Sequence, residues 1–126
     1  MTRRLLAACL LFLFAGSLNL LALPNATRTW KGYVTDTYCG YNRVNKAPTA
    51  SCTIKCVQEQ HAKYAFFNFA DKKVYILNPQ SEAAKYAGQT VTVQGTVGGH
   101  EEFATGKGMS AGAIITASSI APESAK

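Results

Sequence analysis

Apolar and polar positions alternate most cleanly over Thr90–Val97. Val91, Val93, Gly95 and Val97 interleave with Thr90, Thr92, Gln94 and Thr96. Successive side chains on a strand point to opposite faces, so this stretch predicts a half-buried strand, valines inward and threonines outward. The same period runs through Trp30–Thr37. Trp30, Gly32 and Val34 fall on one face, and Lys31, Tyr33 and Thr35 on the other. Gly32 inside that strand predicts a bulge or a tight bend. Tyr64–Phe69 and Lys73–Leu77 flank the turn Ala70-Asp71-Lys72 and predict a hairpin. Gly98-Gly99-His100 opens what reads as a long flexible loop to about Gly112, before a last strand over Ala113–Ile120.

Two short helices interrupt the strands. Thr49 or Ser51 can cap a helix over Cys52–Gln60. Asn78 reads as the cap of a second, with Pro79 at its first helical position, a body from Gln80 to Ala87 and Gly88 as its stop. The order is strand, Cys-containing segment, strand, strand, helix, strand, strand. That order predicts a mainly β domain over residues 27–121: a small five-stranded OB-like barrel with a loop-helix insertion at 38–62, followed by a tail at 122–126. An open α+β sheet is the other arrangement of the same elements. There is no internal repeat and no linker, and about 100 residues suffice for one core.

The N-terminal pattern is of a different kind. Arg3 and Arg4 precede a run from Leu5 to Leu23 broken only by Gly16, Ser17 and Asn19, and Pro24-Asn25 ends it. This predicts a secretory signal peptide over residues 1–26, cut after Ala22 or Ala26, and a periplasmic or extracellular destination. A retained anchor is the rival, since nineteen residues just span a bilayer. Leu6-Ala7-Ala8-Cys9 spells a lipoprotein box, but leaves too short an apolar run before it. After cleavage no membrane span is expected.

From Thr27 onward eleven Lys and Arg face seven Asp and Glu, a net charge of +4. The basic residues are scattered, which reads as a solvated surface and not a nucleic-acid stripe. Tyr64, Phe66, Phe67 and Phe69 could form a base-stacking strand, but alternate positions must fill the core. Export also argues against nucleic acid. His100-Glu101-Glu102 reads as a solvated cluster. Gly106-Lys107-Gly108 lacks the full frame of a phosphate loop.

Cys39, Cys52 and Cys56 change the picture most, because thiols outside the cytoplasm tend toward disulfides or metal. Cys52 and Cys56 are four apart, so on a helix they share a face with Cβ atoms roughly 6 Å apart. That is wide for a disulfide, and each reaches Cys39 more easily. A Cys39–Cys56 bridge is expected, with Cys39–Cys52 as the alternative. It closes a loop of about 15 residues, worth around 3 kcal/mol in the chain-entropy account. One thiol is left over, free or joining two copies of the chain. The competing expectation is a Zn²⁺ or Cu⁺ site made by Cys39, Cys52, Cys56 and His61. It requires the helix to end near Gln60, since His61 lies far round the helix from Cys56. A thiol oxidoreductase fits less well, because such enzymes use Cys-x2-Cys and this chain has Cys-x3-Cys. Asp36 reads as a cap on the Cys loop's backbone.

Trp30-x-Gly32-x-Val34-x-Asp36-x2-Cys39-Gly40, Cys52-x3-Cys56, Ala62-Lys63-Tyr64 and Ala87-Gly88-x2-Val91-x-Val93-x-Gly95 together give a resemblance. The chain resembles a family of small exported bacterial proteins classed as a domain of unknown function, over residues 30–120. The resemblance implies an OB-like fold and lends no activity. Members often carry a His soon after the Cys-Gly pair, where this chain has Tyr41-Asn42-Arg43.

The expectation is therefore an exported, non-enzymatic binding or scaffold module, held by a cysteine cluster and meeting an envelope protein or small ligand without a resident cofactor. An envelope metal-binding protein is the alternative.

Overall fold

The computed structural model describes residues 26–42 and 46–124. The expected leader, the cut after Ala22 and the box ending at Cys9 lie outside them.

Five strands hydrogen-bond in a closed ring in the order β1-β2-β3-β5-β4. β1 spans Arg28–Asp36, β2 Tyr64–Asn68, β3 Val74–Asn78, β4 Thr90–Thr105 and β5 Gly108–Pro122. Helix α1 (Ala50–Glu59) lies between β1 and β2, and α2 (Gln80–Ala84) between β3 and β4. All pairings are antiparallel except β3 with β5. The fold is thus mainly β with a five-stranded mixed sheet.

β1 serves two neighbours. Its first part pairs with β4 (Arg28↔Gly95 to Tyr33↔Thr90) and its second with β2 (Gly32↔Asn68 to Asp36↔Tyr64). Gly32 sits at the handover. A Cβ there would lie 1.9 Å from the Phe67 carbonyl oxygen and 2.6 Å from the Phe66 ring. No register shift marks this glycine, so the expected bulge is absent; what Gly32 permits is close approach, since two strands and a core phenyl converge on it.

The core holds Val34, Tyr64, Phe66, Leu77, Ala83, Ala87, Val91, Val93 and Ile115. The valine face of β4 is inward, as its alternation predicts. The outer face of β1 is not exposed beyond Lys31. Tyr33 stacks on Phe67 at 4.9 Å and meets Phe69 edge-on at 5.6 Å. The aromatic strand is therefore split: Tyr64 and Phe66 fill the core, and Phe67 packs on the other side.

Two expectations are corrected. Asn78 does not cap α2, because it is still in β3, paired with Thr116 of β5. Pro79 holds the cap position without a side-chain bond. Gln80 ties the corner instead: its amide accepts from Tyr64 N at 2.8 Å and donates to the Tyr64 and Leu77 carbonyls at 2.9 and 2.8 Å. α2 also ends at Ala84 and not Ala87. The chain then tightens so that Gly88 N donates to Val34 O (2.9 Å) and Val34 N to Gln89 O (3.0 Å).

The stretch from Gly98 to Gly112 is not a loop. β4 and β5 run on as a hairpin, paired from His100↔Ala113 to Thr105↔Gly108 after an irregularity between Val97 and His100. Gly99 takes a positive φ of 72° at that break. Thr105 Oγ1 closes the turn, donating to Gly108 O and accepting from Lys107 N. Gly106-Lys107-Gly108 is the tip of this hairpin. β5 likewise takes in Pro122, the first residue of the expected tail.

Candidate functional site

The Cys segment leaves the ring at the end of β1 and returns at the start of β2. Its base is tied twice: Thr37 N donates to Lys63 O (2.9 Å) and Lys63 N to Thr37 Oγ1 (3.0 Å). Asp36, the last residue of β1, is buried. Its Oδ1 accepts the backbone N–H groups of Tyr38 (2.9 Å), Cys39 (2.7 Å) and Gly40 (3.4 Å). A short carboxylate that takes up successive N–H groups folds the chain into a tight turn. The turn needs Gly40 as well, since a Cβ there would lie 2.0 Å from Thr35 Oγ1. Together these place the Cys39 thiol back over the strand end.

α1 supplies the partner. Thr49 caps it, accepting from Cys52 N at 3.2 Å. Thr53 and Cys56 are buried, and Ile54 and Val57 pack against the core cluster, so this face docks the helix on the ring. The Cys56 thiol donates to Cys39 Sγ across 2.9 Å. Burial, more than that bond or the nearby Asp36 charge, pushes the Cys56 thiol well above its ordinary range. At 2.9 Å the sulfurs are two neighbouring thiols and not a bonded pair, whose S–S length is about 2.05 Å.

Asp36, Cys39 and Cys56 each bring one ligand atom to a common point, all within 4.8 Å of one another. This differs from the expected set of Cys39, Cys52, Cys56 and His61. Cys39 and Cys56 belong to the cluster, Asp36 joins them, and Cys52 and His61 are not part of it. His61 is exposed, with a positive φ of 53° just past the helix end. Cys52 is half-buried and borders a cavity of about 140 Å³ shared with Thr35, Asp36, Cys39, Gly40 and Lys46. The Thr35 hydroxyl is buried there and takes no hydrogen bond.

A larger cavity, about 560 Å³, opens on the other side of the segment. Tyr41, Lys72, Lys73, Tyr75, His100 and Ala113 are among its walls. Tyr41 meets Phe103 of β4 edge-on at 5.5 Å, so the Cys segment and the β4–β5 hairpin touch beside it. The Tyr75 hydroxyl donates to Asp71 at 2.6 Å. Of the cluster His100-Glu101-Glu102, Glu101 pairs with Lys63 at the foot of the Cys segment, while His100 and Glu102 are exposed.

Reading the sequence missed two things here. Asp36 is more than a cap, and the spacing Asp-x2-Cys was the signal: an Asp-led turn carries the third residue on to the carboxylate's side. The larger cavity had no signal, because its far wall is the hairpin that read as a loop. No helix among the described residues is long and apolar enough to cross a membrane. Compared with known proteins, the chain matches no family model, no curated protein and no solved structure.

Proposed function

We propose that this chain is an exported, non-enzymatic binding module of OB-like architecture, whose ligand sits in the cavity between Tyr41, β3 and the β4–β5 hairpin. The strand order β1-β2-β3-β5-β4 with a helix between β3 and β4 supports the OB-like reading. The observation that carries the binding reading is the cavity itself: about 560 Å³, walled by residues of β3 and β5, two tyrosines, two lysines and a histidine. A concave surface with a few convergent polar groups on a packed scaffold is what small ligands use. In an oxidising compartment Cys39 and Cys56 would lose two protons and two electrons to a disulfide-exchanging oxidant and become a bridge. Their 2.9 Å separation supports that pairing over Cys39 with Cys52. Cys52 would then be the leftover thiol, able to join two copies.

The test uses ¹⁵N-labelled protein made with its own leader and recovered from cell fractions. Titration with oligosaccharides and with short peptides should shift the amide signals of Tyr75, His100 and Ala113. Silence from both ligand classes, or shifts confined to other faces, would sink the binding site. A chain found only in the cytoplasm with residues 1–26 retained would sink the export.

A further inference from the structure

Beyond the ligand cavity, the Cys segment holds a second site. We propose that Asp36, Cys39 and Cys56 bind Zn²⁺ in the reduced protein, with the fourth position open to the small cavity that Cys52 borders.

Three observations carry this. The first is the convergence of three ligand atoms within 4.8 Å, on a strand end, a tight turn and a helix. The second is charge. Asp36 is 1% exposed and no Lys or Arg pairs with it among the described residues. Lys46 borders the same cavity but is exposed and lies outside ion-pair reach. All the hydrogen bonds that Asp36 receives go to Oδ1. Among the described residues no hydrogen bond reaches Oδ2, and a carboxylate so far removed from water is costly unless a counter-charge or metal meets it. The third is the adjoining cavity, where the Thr35 hydroxyl is buried with no bond of its own. A metal-bound water there would give it one.

Donor chemistry selects the ion. Copper(I) prefers sulfur alone, whereas zinc takes thiolates and a carboxylate together. The three N–H groups on Oδ1 would then orient the ligand from behind, as outer hydrogen bonds do in zinc sites. Binding exchanges two thiol protons for the metal. With Zn–S near 2.3 Å, two thiolates at a tetrahedral angle stand about 3.8 Å apart. The sulfurs must part by somewhat under ~1 Å for zinc, and close by a similar distance for a disulfide. The two states therefore compete for the same pair.

The experiment uses the full chain carrying Cys9→Ser, reduced and freed of metal, titrated with Zn²⁺ against a chromophoric chelator. One ion per chain is expected, with two thiols lost to a thiol reagent. Co²⁺ in its place should give thiolate charge-transfer absorption. Cys39→Ser and Cys56→Ser should each weaken Zn²⁺ at least about 100-fold, and Asp36→Asn about 10- to 100-fold. The asparagine keeps an oxygen for the three N–H groups, so its metal-free melting temperature should stay near the parent's, while the rise on adding Zn²⁺ disappears. Cys52→Ser and His61→Ala should still bind one ion. Zinc that the reduced chain fails to hold against the chelator overturns the proposal. So does binding that Asp36→Asn leaves unchanged, or that oxidation of the chain leaves intact. None of these results bears on the shifts at Tyr75 and His100, so the ligand cavity stands or falls separately.

Discussion

Thr53 carries a hydroxyl that the interior does not satisfy. It lies on the docked face of α1, fully buried, and its Oγ1 has no hydrogen bond. Burying an unpaired hydroxyl costs about 1–3 kcal/mol in proteins. Valine has nearly the same shape and no such cost. Thr53→Val should raise the urea midpoint, corresponding to about 1 kcal/mol of added stability, with an unchanged denaturant slope. A loss of stability would mean that the hydroxyl has a partner, such as a trapped water. Asp36 is the opposite case: a buried polar side chain whose Oδ1 is fully used and shapes the turn behind Cys39. Its capping role was legible in the sequence; its place in the cluster was missed, although an Asp that caps the turn leading to Cys39 must lie close to that thiol. His61 misled for a local reason. The helix does end before it, as the zinc reading required, but the chain passes through a left-handed conformation at 61 that leaves the residue exposed and outside the cluster.

The β4–β5 hairpin is the element that makes the larger cavity, and its cohesion rests on few side chains. Phe103 is 6% exposed, wedged against Tyr41 and within 3.0 Å of where a Cβ on Gly112 would be. Phe103→Ala should cost about 3 kcal/mol, within the range for buried phenylalanines. The loss should concentrate locally. Amide hydrogen exchange at Glu101 to Ala104 and Ser110 to Ala113 should speed up more than at Val91 or Val93 in the core. Uniform acceleration would mean that the hairpin and ring unfold as one unit. The same residues explain why this element did not show in the pattern. Phe103 is the one large apolar side chain between His100 and Thr105, and Gly98-Gly99 precedes it. Its pairing comes from β5, which local alternation does not reveal. By contrast, Val91-x-Val93 and Tyr64-x-Phe66 face a core with enough apolar side chains to mark themselves. The succession of strands along the chain was legible from them.

At the scale of the whole molecule, the chain is basic, with a formal charge of +6 and an isoelectric point near 9.3. Self-repulsion therefore weakens as pH rises toward that value, which favours the compact state. Beyond it the phenols work against stability. Tyr75 is pushed up to about 12, first by burial and then by its bond to Asp71, and burial raises Tyr33 as well. In the unfolded chain these groups ionise near 10.0. Above that pH the unfolded state has lost protons that the folded state still holds, so each unit of pH favours unfolding. The stability these two groups contribute is complete below pH 10 and is lost as pH rises above it, for Tyr75 as pH climbs toward 12. Tyr75→Phe separates this cause from general charge. It should lower stability at pH 7 by about 1 kcal/mol, through the lost bond to Asp71. It should also flatten the fall in melting temperature between pH 10 and 12. Phenolate absorbance followed across the same range should show one fewer late-titrating tyrosine in the variant. Identical alkaline slopes for the two proteins would remove Tyr75 as a cause and leave net charge to explain the limit.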